Sequence, residues 1–259
     1  MRKEGPQQDG SASTSPTSLP SGGNSDGTGR ETLLRGRGDQ GKSGANDAVS
    51  IETSKIFLFD NSTKALVDAE LRDAISEAQL IDWECQWLPA LEAIKKRLSD
   101  ARVDRSKWPQ SGHWRWRDKL LDIEGSLSNP SFCVVHADET QGMMILDTLP
   151  SARLSSQSGK AMVYIDYLEV APWNRQHLPD DVPRYRTVGS ILVRAAIETS
   201  LQEGYKGRIG LHSLPQSNSW YANKCGMTDL GPDPDKQNLR YFEMTPEIAQ
   251  AFIDRGKKP

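Results

Sequence analysis

Two stretches of this chain carry residues spaced to hold an anion. Gly36-Arg37-Gly38-Asp39-Gln40-Gly41-Lys42-Ser43 fits G-x-x-x-x-G-K-[ST] letter for letter. In that pattern backbone N–H groups cradle phosphates and the lysine reaches the terminal ones. It works only where a buried strand delivers the loop to a helix N-terminus. Here the flanks are ETLLR, too short and polar for such a strand, and GANDAVS, which has no apolar helical period. Nucleotide hydrolysis is therefore not expected from this match. The second stretch, Arg186-Thr187-Val188-Gly189, has the right context. A strand reads out at Val170, and the helix VGSILVRAAIETSLQEG follows. Successive N–H groups at such a helix start form an anion site, and Gly189 lets backbone come close to a phosphate. The same residues also fit a plain loop with a glycine at the helix start.

Composition removes several classes. The chain has 259 residues with 36% hydrophobic and 26% charged residues and a net charge of −3. That mildly acidic balance gives no electrostatic case for a nucleic-acid or membrane-surface partner. No apolar run is long enough to span a bilayer, and the N-terminus lacks the apolar stretch of a secretory signal. Cys85, Cys133 and Cys225 are sparse and odd in number, which suits a reducing cytosol, so a cytoplasmic protein is expected. The four histidines, His113, His136, His177 and His212, form no Cys/His cluster, so no metal site is expected.

Residues 1–50 hold ten of the 21 glycines and no aromatic residue; the first is Phe57. Such a segment cannot bury enough apolar surface to offset its chain entropy and is read as a disordered tail, leaving one domain over 51–259. Within it, SKIFLFD predicts a strand. Ala65, Leu66, Ala69 and Ile75 are read as a helix capped at Asn61 or Ser62. WLPALEAIKKRLSDA predicts a second helix, with Leu88, Leu91, Ile94 and Leu98 on one face, and DKLLDIEGSL a third. SFCVVHA, GMMILDTL and AMVYIDYLEVA are strands, the first two close enough for an antiparallel hairpin. A crossover helix from Val188 stops at Gly204, then come strand RIGLHSL, short helix SNSWYANKCG, strand LRYFEM and a helix opened by Thr245-Pro246. The class is α+β, one mixed, mostly antiparallel sheet with helices on both faces.

That order resembles the GCN5-related N-acetyltransferase (GNAT) superfamily. Leu168-x-Val170-x-Pro172 is similar to the family's fourth strand, and Arg186-Thr187-Val188-Gly189 to its acetyl-CoA pyrophosphate loop. GRIGLHSL resembles the fifth strand, and Trp220-Tyr221 before Cys225-Gly226-Met227 the segment after it. The likeness covers about residues 130 to 245. There are three departures. Ile191 stands where the loop motif usually ends in Gly or Ala. The loop from Pro172 to Arg186 is long. Tyr221 precedes Gly226 by five residues instead of the commoner four, a helical step of about 100°.

The resemblance implies an acyltransferase in which strands four and five splay around a thioester. Leu168 and Val170 would then offer backbone groups to the pantetheine arm of acetyl-CoA. Amides of Val188, Gly189 and Ser190 would hold the pyrophosphate, with Arg186 and Thr187 beside them. A bound amine would attack the thioester directly, with Tyr221 as acid for the leaving thiolate. Tyr221 serves equally well as an aromatic packing its short helix. Asp166 and Glu169 are the candidate bases. Simple alternation puts them on opposite faces of the strand. Asp166 leads because it sits deeper in an apolar run, where burial raises a carboxyl pKa, although either also fits a structural role. A non-catalytic acyl-CoA sensor or interaction module is the alternative, and a homodimer stays open. Trp114, Arg115, Trp116 and Arg117 have the types to stack on nucleic acid. Asp118, Asp122 and Glu124 follow too closely, so the tryptophans are expected to pack the core edge or line an acceptor pocket.

Overall fold

The sequence KIFLFD places Ile56 and Leu58 on one face of a strand, and ALVDAEL does the same for Val67, Ala69 and Leu71. These segments pair over their whole length as an antiparallel hairpin, β1 (Thr53–Asp60) and β2 (Ala65–Arg72). This corrects the helix expected from Ala65 to Ile75. The period-two alternation of Val67, Ala69 and Leu71, against exposed Leu66 and charged Asp68 and Glu70, outweighs the helical spacing of Ala65 and Ala69. The structure, a computed structural model, describes residues 51–256. The tail over 1–50, with its Gly36 to Ser43 match, lies outside the described residues.

Helices α1 (Glu77–Asp82) and α2 (Leu88–Asp100) follow, joined by a wider turn over Trp83–Trp87, and then α3 (Trp116–Asp122). Strands β3 (Ser131–His136), β4 (Glu139–Asp147) and β5 (Val163–Val170) form a meander. A two-residue strand β6 (Tyr185–Arg186) leads into α4 (Val188–Gln202), and then come β7 (Ile209–Ser213) and α5 (Asn218–Trp220). β8 (Thr228–Asp233), β9 (Leu239–Met244) and α6 (Pro246–Arg255) end the described chain. The sheet order is β6-β1-β2-β3-β4-β5-β7-β9-β8. Only β5 and β7 pair in parallel, with α4 as their crossover; the other neighbours are antiparallel.

Each face of the sheet has its own core. On one, α4 buries Val188, Leu192, Val193, Ala196 and Ile197 against Val134, Met144, Val163 and Ile165. On the other, Trp83 and Trp87 from the wide turn between α1 and α2 and Trp116 from α3 cover Cys133, Met143 and Ile145. The α+β class with helices on both faces is what the sequence predicts. Among the described residues no helix is long and apolar enough to cross a membrane.

Gly142 on β4 sets the closeness of α4 to the sheet. A Cβ there would stand 2.7 Å from Val188 Cγ1 and 3.0 Å from Leu192 Cδ1. Both contacts lie in the first two turns of α4, next to the helix start that matters for the site. Gly142→Ala is therefore expected to cost ~1–3 kcal/mol, the usual scale for overpacking. A denaturant midpoint equal to that of the wild type would contradict so tight a contact.

Candidate active site

β5 and β7 stay paired for three residues, Val163 with Ile209, Tyr164 with Gly210 and Ile165 with Leu211. β5 then runs on to Val170, whereas β7 ends at Ser213 and Pro215 opens a tight helical turn. The strands part there, and the edge of β5 faces a cleft. The register explains which groups are exposed. Ala171 N donates to Gln141 O at 2.9 Å, so Glu169 and Ala171 turn their amides toward β4. Leu168 and Val170, alternating with them, turn theirs to the cleft. The Val170 carbonyl is already taken, at 2.7 and 2.9 Å, by the guanidinium of Arg175.

A β-bulge interrupts β5 at Asp166. Tyr167 pairs with Ile145 and Ile165 with Leu146, leaving Asp166 as the extra residue. The alternation slips there by one. Ile165 and Leu168 pack on the α4 side, while Tyr167 packs with the tryptophans opposite. Asp166 and Glu169 are therefore not set on opposite faces as plain alternation predicts. Asp166 opens into the same recess as Tyr167 and Trp114, and Glu169 is buried beneath Trp116.

The first cavity, about 380 Å³, fills the cleft. Leu168, Val170, Arg186, Thr187, Val188, Gly189 and Ser190 all line it. The first hydrogen bond of α4 runs from Ile191 N to Thr187 O at 2.9 Å, so the amides of Val188, Gly189 and Ser190 precede it and point out of the helix end. They form an anion cradle at the positive end of a 15-residue helix. Thr187 has a φ of 77°, a costly left-handed conformation for a β-branched residue and one found where function over-determines the backbone. Its hydroxyl donates to the Arg186 carbonyl. Gly189 does not need an unusual φ. A Cβ there would make ordinary contact with the Trp220 ring at 3.5 Å, so only a side chain longer than a methyl would intrude on the cleft. Arg186 has no acidic partner among the described residues. Its place is fixed by β6, which pairs Arg186 with Phe59 of the N-terminal hairpin.

Tyr221 follows α5 in a wide five-residue turn, Tyr221–Cys225, ended by Gly226 at a φ of 75°. That wide turn absorbs the extra residue before Gly226, so Tyr221 is not carried away from the cleft. Its ring packs on Trp220 at 5.0 Å and Phe242 at 6.1 Å, and it is 7% exposed. Burial raises the phenol pKa, with the neighbouring Cys225 adding a little. The hydroxyl therefore stays protonated at neutral pH.

A second cavity, about 350 Å³, opens on the tryptophan side. His113, Trp114, Lys119, Tyr164, Asp166, Tyr167 and His212 line it. Tyr221, Leu168, Leu214 and Ser217 line both cavities. Desolvation raises the Asp166 pKa, the charge of Asp147 raises it further, and Lys236 and Lys119 oppose them. Its side chain still reaches solvent, as suits a carboxylate in the wall of a recess. Glu169 differs. Its carboxylate accepts from Ser111 Oγ at 2.5 Å, Trp116 Nε1 at 2.7 Å and Arg175 Nη2 at 2.8 Å. The two tryptophans of HWRWR divide the roles expected of them. Trp116 is fully buried and Trp114 lines the second cavity, while Arg117 pairs with Glu77 and Glu84.

Sequence reasoning misses Arg175, Tyr164, His212 and Asp233. Arg175 lies in a loop with no pattern, and the other three meet only across strand pairings. No group of three or more metal-ligating side chains is found among the described residues. No protein-family model matches the chain, and no curated protein matches it. Among solved structures it is similar to the N-acetyltransferase YlbP of Bacillus subtilis in complex with coenzyme A. The TM-score is 0.42 at 15% identity, over 69% of this chain and 97% of that one. It is similar to the PaiA N-acetyltransferase of Thermoplasma acidophilum in complex with coenzyme A, at TM-score 0.41 and 14% identity, over 69% and 99% of the two chains. It is also similar to a transcriptional regulator from Bacillus halodurans C-125, at TM-score 0.38 and 16% identity, over 62% and 93%. With likenesses this low, function must be argued from the residues of the cleft.

Proposed function

We propose that this chain transfers an acetyl group from acetyl-CoA to an amine by direct attack on the thioester. The observation that carries the reading is the position of Tyr221, which lines both cavities. One cavity has the furniture for a nucleotide thioester: an anion cradle at Val188, Gly189 and Ser190, the cation of Arg186, which has no acidic partner among the described residues, and the open strand edge of Leu168 and Val170 for an extended amide-bearing arm. The other is polar and aromatic, and takes the acceptor. A thioester held along β5 then meets the amine beside a protonated phenol. The phenol hands its proton to the departing thiolate.

Asp166 is the carboxylate the amine meets. Amines of ordinary basicity arrive as ammonium ions, and a carboxylate with a raised pKa both attracts the cation and takes its first proton. Glu169 has a different part. Saturated by three donors, it fixes Arg175, which in turn braces the Val170 carbonyl at the cleft edge.

Gly189→Glu tests the donor half of this reading. The new side chain starts 3.5 Å from the Trp220 ring and brings negative charge to an anion cradle. Calorimetric coenzyme A affinity is expected to fall at least about tenfold, ~1.4 kcal/mol. A folded variant with wild-type affinity would remove the cradle from the account.

A further inference from the structure

An ammonium acceptor loses two protons on its way to an amide. One leaves before attack and the other once the C–N bond has formed. Asp166 accounts for one of them. The second cavity contains a separate chain of hydrogen bonds with the shape of a proton path. Tyr164 Oη lies 2.5 Å from His212 Nδ1, and His212 Nε2 lies 2.9 Å from Asp233 Oδ2. Asp233 is held by Arg153 Nη1 at 2.5 Å and by its own turn through Asp235 N at 3.0 Å.

The direction of these bonds follows from the anion at the end. Arg153 first, and then His212, hold the Asp233 carboxyl down at about 2, so it is an acceptor only. His212 must then carry its proton on Nε2, leaving Nδ1 as the acceptor for the Tyr164 hydroxyl. Tyr164 and His212 both line the cavity that Tyr221 and Asp166 share. The His212 side chain is 4% exposed and that of Asp233 10%, so the pair is shielded while Tyr164 faces the recess. The arrangement has the nucleophile–base–orienter geometry that elsewhere moves a proton off a reacting group.

We propose that Tyr164, His212 and Asp233 form a relay that removes the second proton from the acceptor nitrogen; this rests on the acyl-transfer reading of the cleft. The nitrogen lone pair forms the C–N bond and the C–S bond breaks, with Tyr221 giving its proton to the sulfur. The surplus N–H proton passes to Tyr164 Oη as the Tyr164 proton moves to His212 Nδ1, leaving an imidazolium beside Asp233. Exchange with solvent then discharges His212 and Asp166 and restores Tyr221, so each turnover yields one amide, one thiol and one free proton. Tyr164 is the catalytic residue of the three, since it touches the nitrogen. His212 and Asp233 act through it.

The relay fixes a pH dependence. His212 must be neutral to accept a proton. Desolvation and the charges of Arg153 and Lys236 lower its pKa from 6.5, Asp233 opposes them, and the rings of Tyr164 and Tyr241 complete its surroundings. Activity therefore rises with pH through a value below 6.5 and levels off above it.

The test uses the whole protein with acetyl-CoA and a panel of primary amines, following thiol release, with calorimetric coenzyme A binding alongside. Tyr164→Phe keeps the ring and removes the hydroxyl. It is expected to lower kcat about 10²-fold, to leave coenzyme A affinity unchanged, and to remove the His212 inflection from the pH profile while the acidic limb set by Asp166 stays, as is His212→Gln. In the wild type, imidazole nitrogen resonances should show His212 neutral with its proton on Nε2 at pH 7. Wild-type turnover by a folded Tyr164→Phe variant, or a proton on Nδ1, would overturn the relay and leave the transfer reading standing. A wild type that binds coenzyme A but turns over no amine would remove both.

Discussion

Tyr221→Phe is expected to lower kcat about 10²-fold, the usual scale for loss of a positioned general acid. Coenzyme A affinity should stay at the wild-type value. The ring remains, so its contacts with Trp220 and Phe242 remain, and the fold should not register the change. The hydroxyl is different. Tyr221 is one of the residues that line both cavities, and burial keeps its hydroxyl protonated well past neutral pH. In the proposed transfer it gives a proton at the moment the thiolate leaves, an interaction absent from the bound ground state. The loss should therefore appear in kcat and kcat/KM together, with little change in the acetyl-CoA KM. Unchanged turnover in a folded Tyr221→Phe variant would reduce this residue to packing.

Arg175→Ala should have the largest effect on stability. The guanidinium donates to Glu169 Oε1, Ser111 Oγ and twice to the Val170 carbonyl. Side-chain exposure is 16% for Arg175 and 1% for Glu169, so the pair is buried. Removing one partner strands the other as an uncompensated buried charge, a loss of about 3–5 kcal/mol. For a domain of this size that lowers Tm by about 10 °C. Affinity should fall as well, because the freed loop carries Asn174, Pro183 and Tyr185, which line the cleft. Restoring charge balance with Glu169→Gln in the same chain should recover part of the melting temperature. A single Arg175→Ala variant that melts with the wild type would show that Glu169 is held by Ser111 and Trp116 alone.

Much of this was legible in the chain, because most elements are long enough for one period to dominate. The strands around Val134, Met144 and Ile165 and the helix from Val188 read directly from apolar spacing. So did the loop and helix start at Arg186 to Ser190, since strand, loop and helix are contiguous in sequence. Four features were hidden. The hairpin of β1 and β2 has a second strand whose Ala65 and Ala69 also fit a helical spacing, and only pairing along β1 decides for the strand. The bulge at Asp166 arises from register against Ile145 and Leu146, which one strand cannot declare. The wide turn after Tyr221 looks in sequence like a misplaced residue, and becomes a correction of phase only when Gly226 is seen closing it. The hydrogen-bonded chain from Tyr164 through His212 to Asp233 joins residues 48 and 21 positions apart. No local pattern marks it.

The central claim is that the parted strands hold acetyl-CoA in order to react it. The direct measurement is amine-dependent thiol release by the wild-type protein at neutral pH, with the acetylated amine counted in the same reaction. The account predicts release that requires the amine, one amide formed per thiol, and the loss of both in Tyr221→Phe under conditions where coenzyme A still binds. Binding of acetyl-CoA with no amine-dependent release across small amines, amino acids and peptides would contradict it, and would make the cleft that of a sensor.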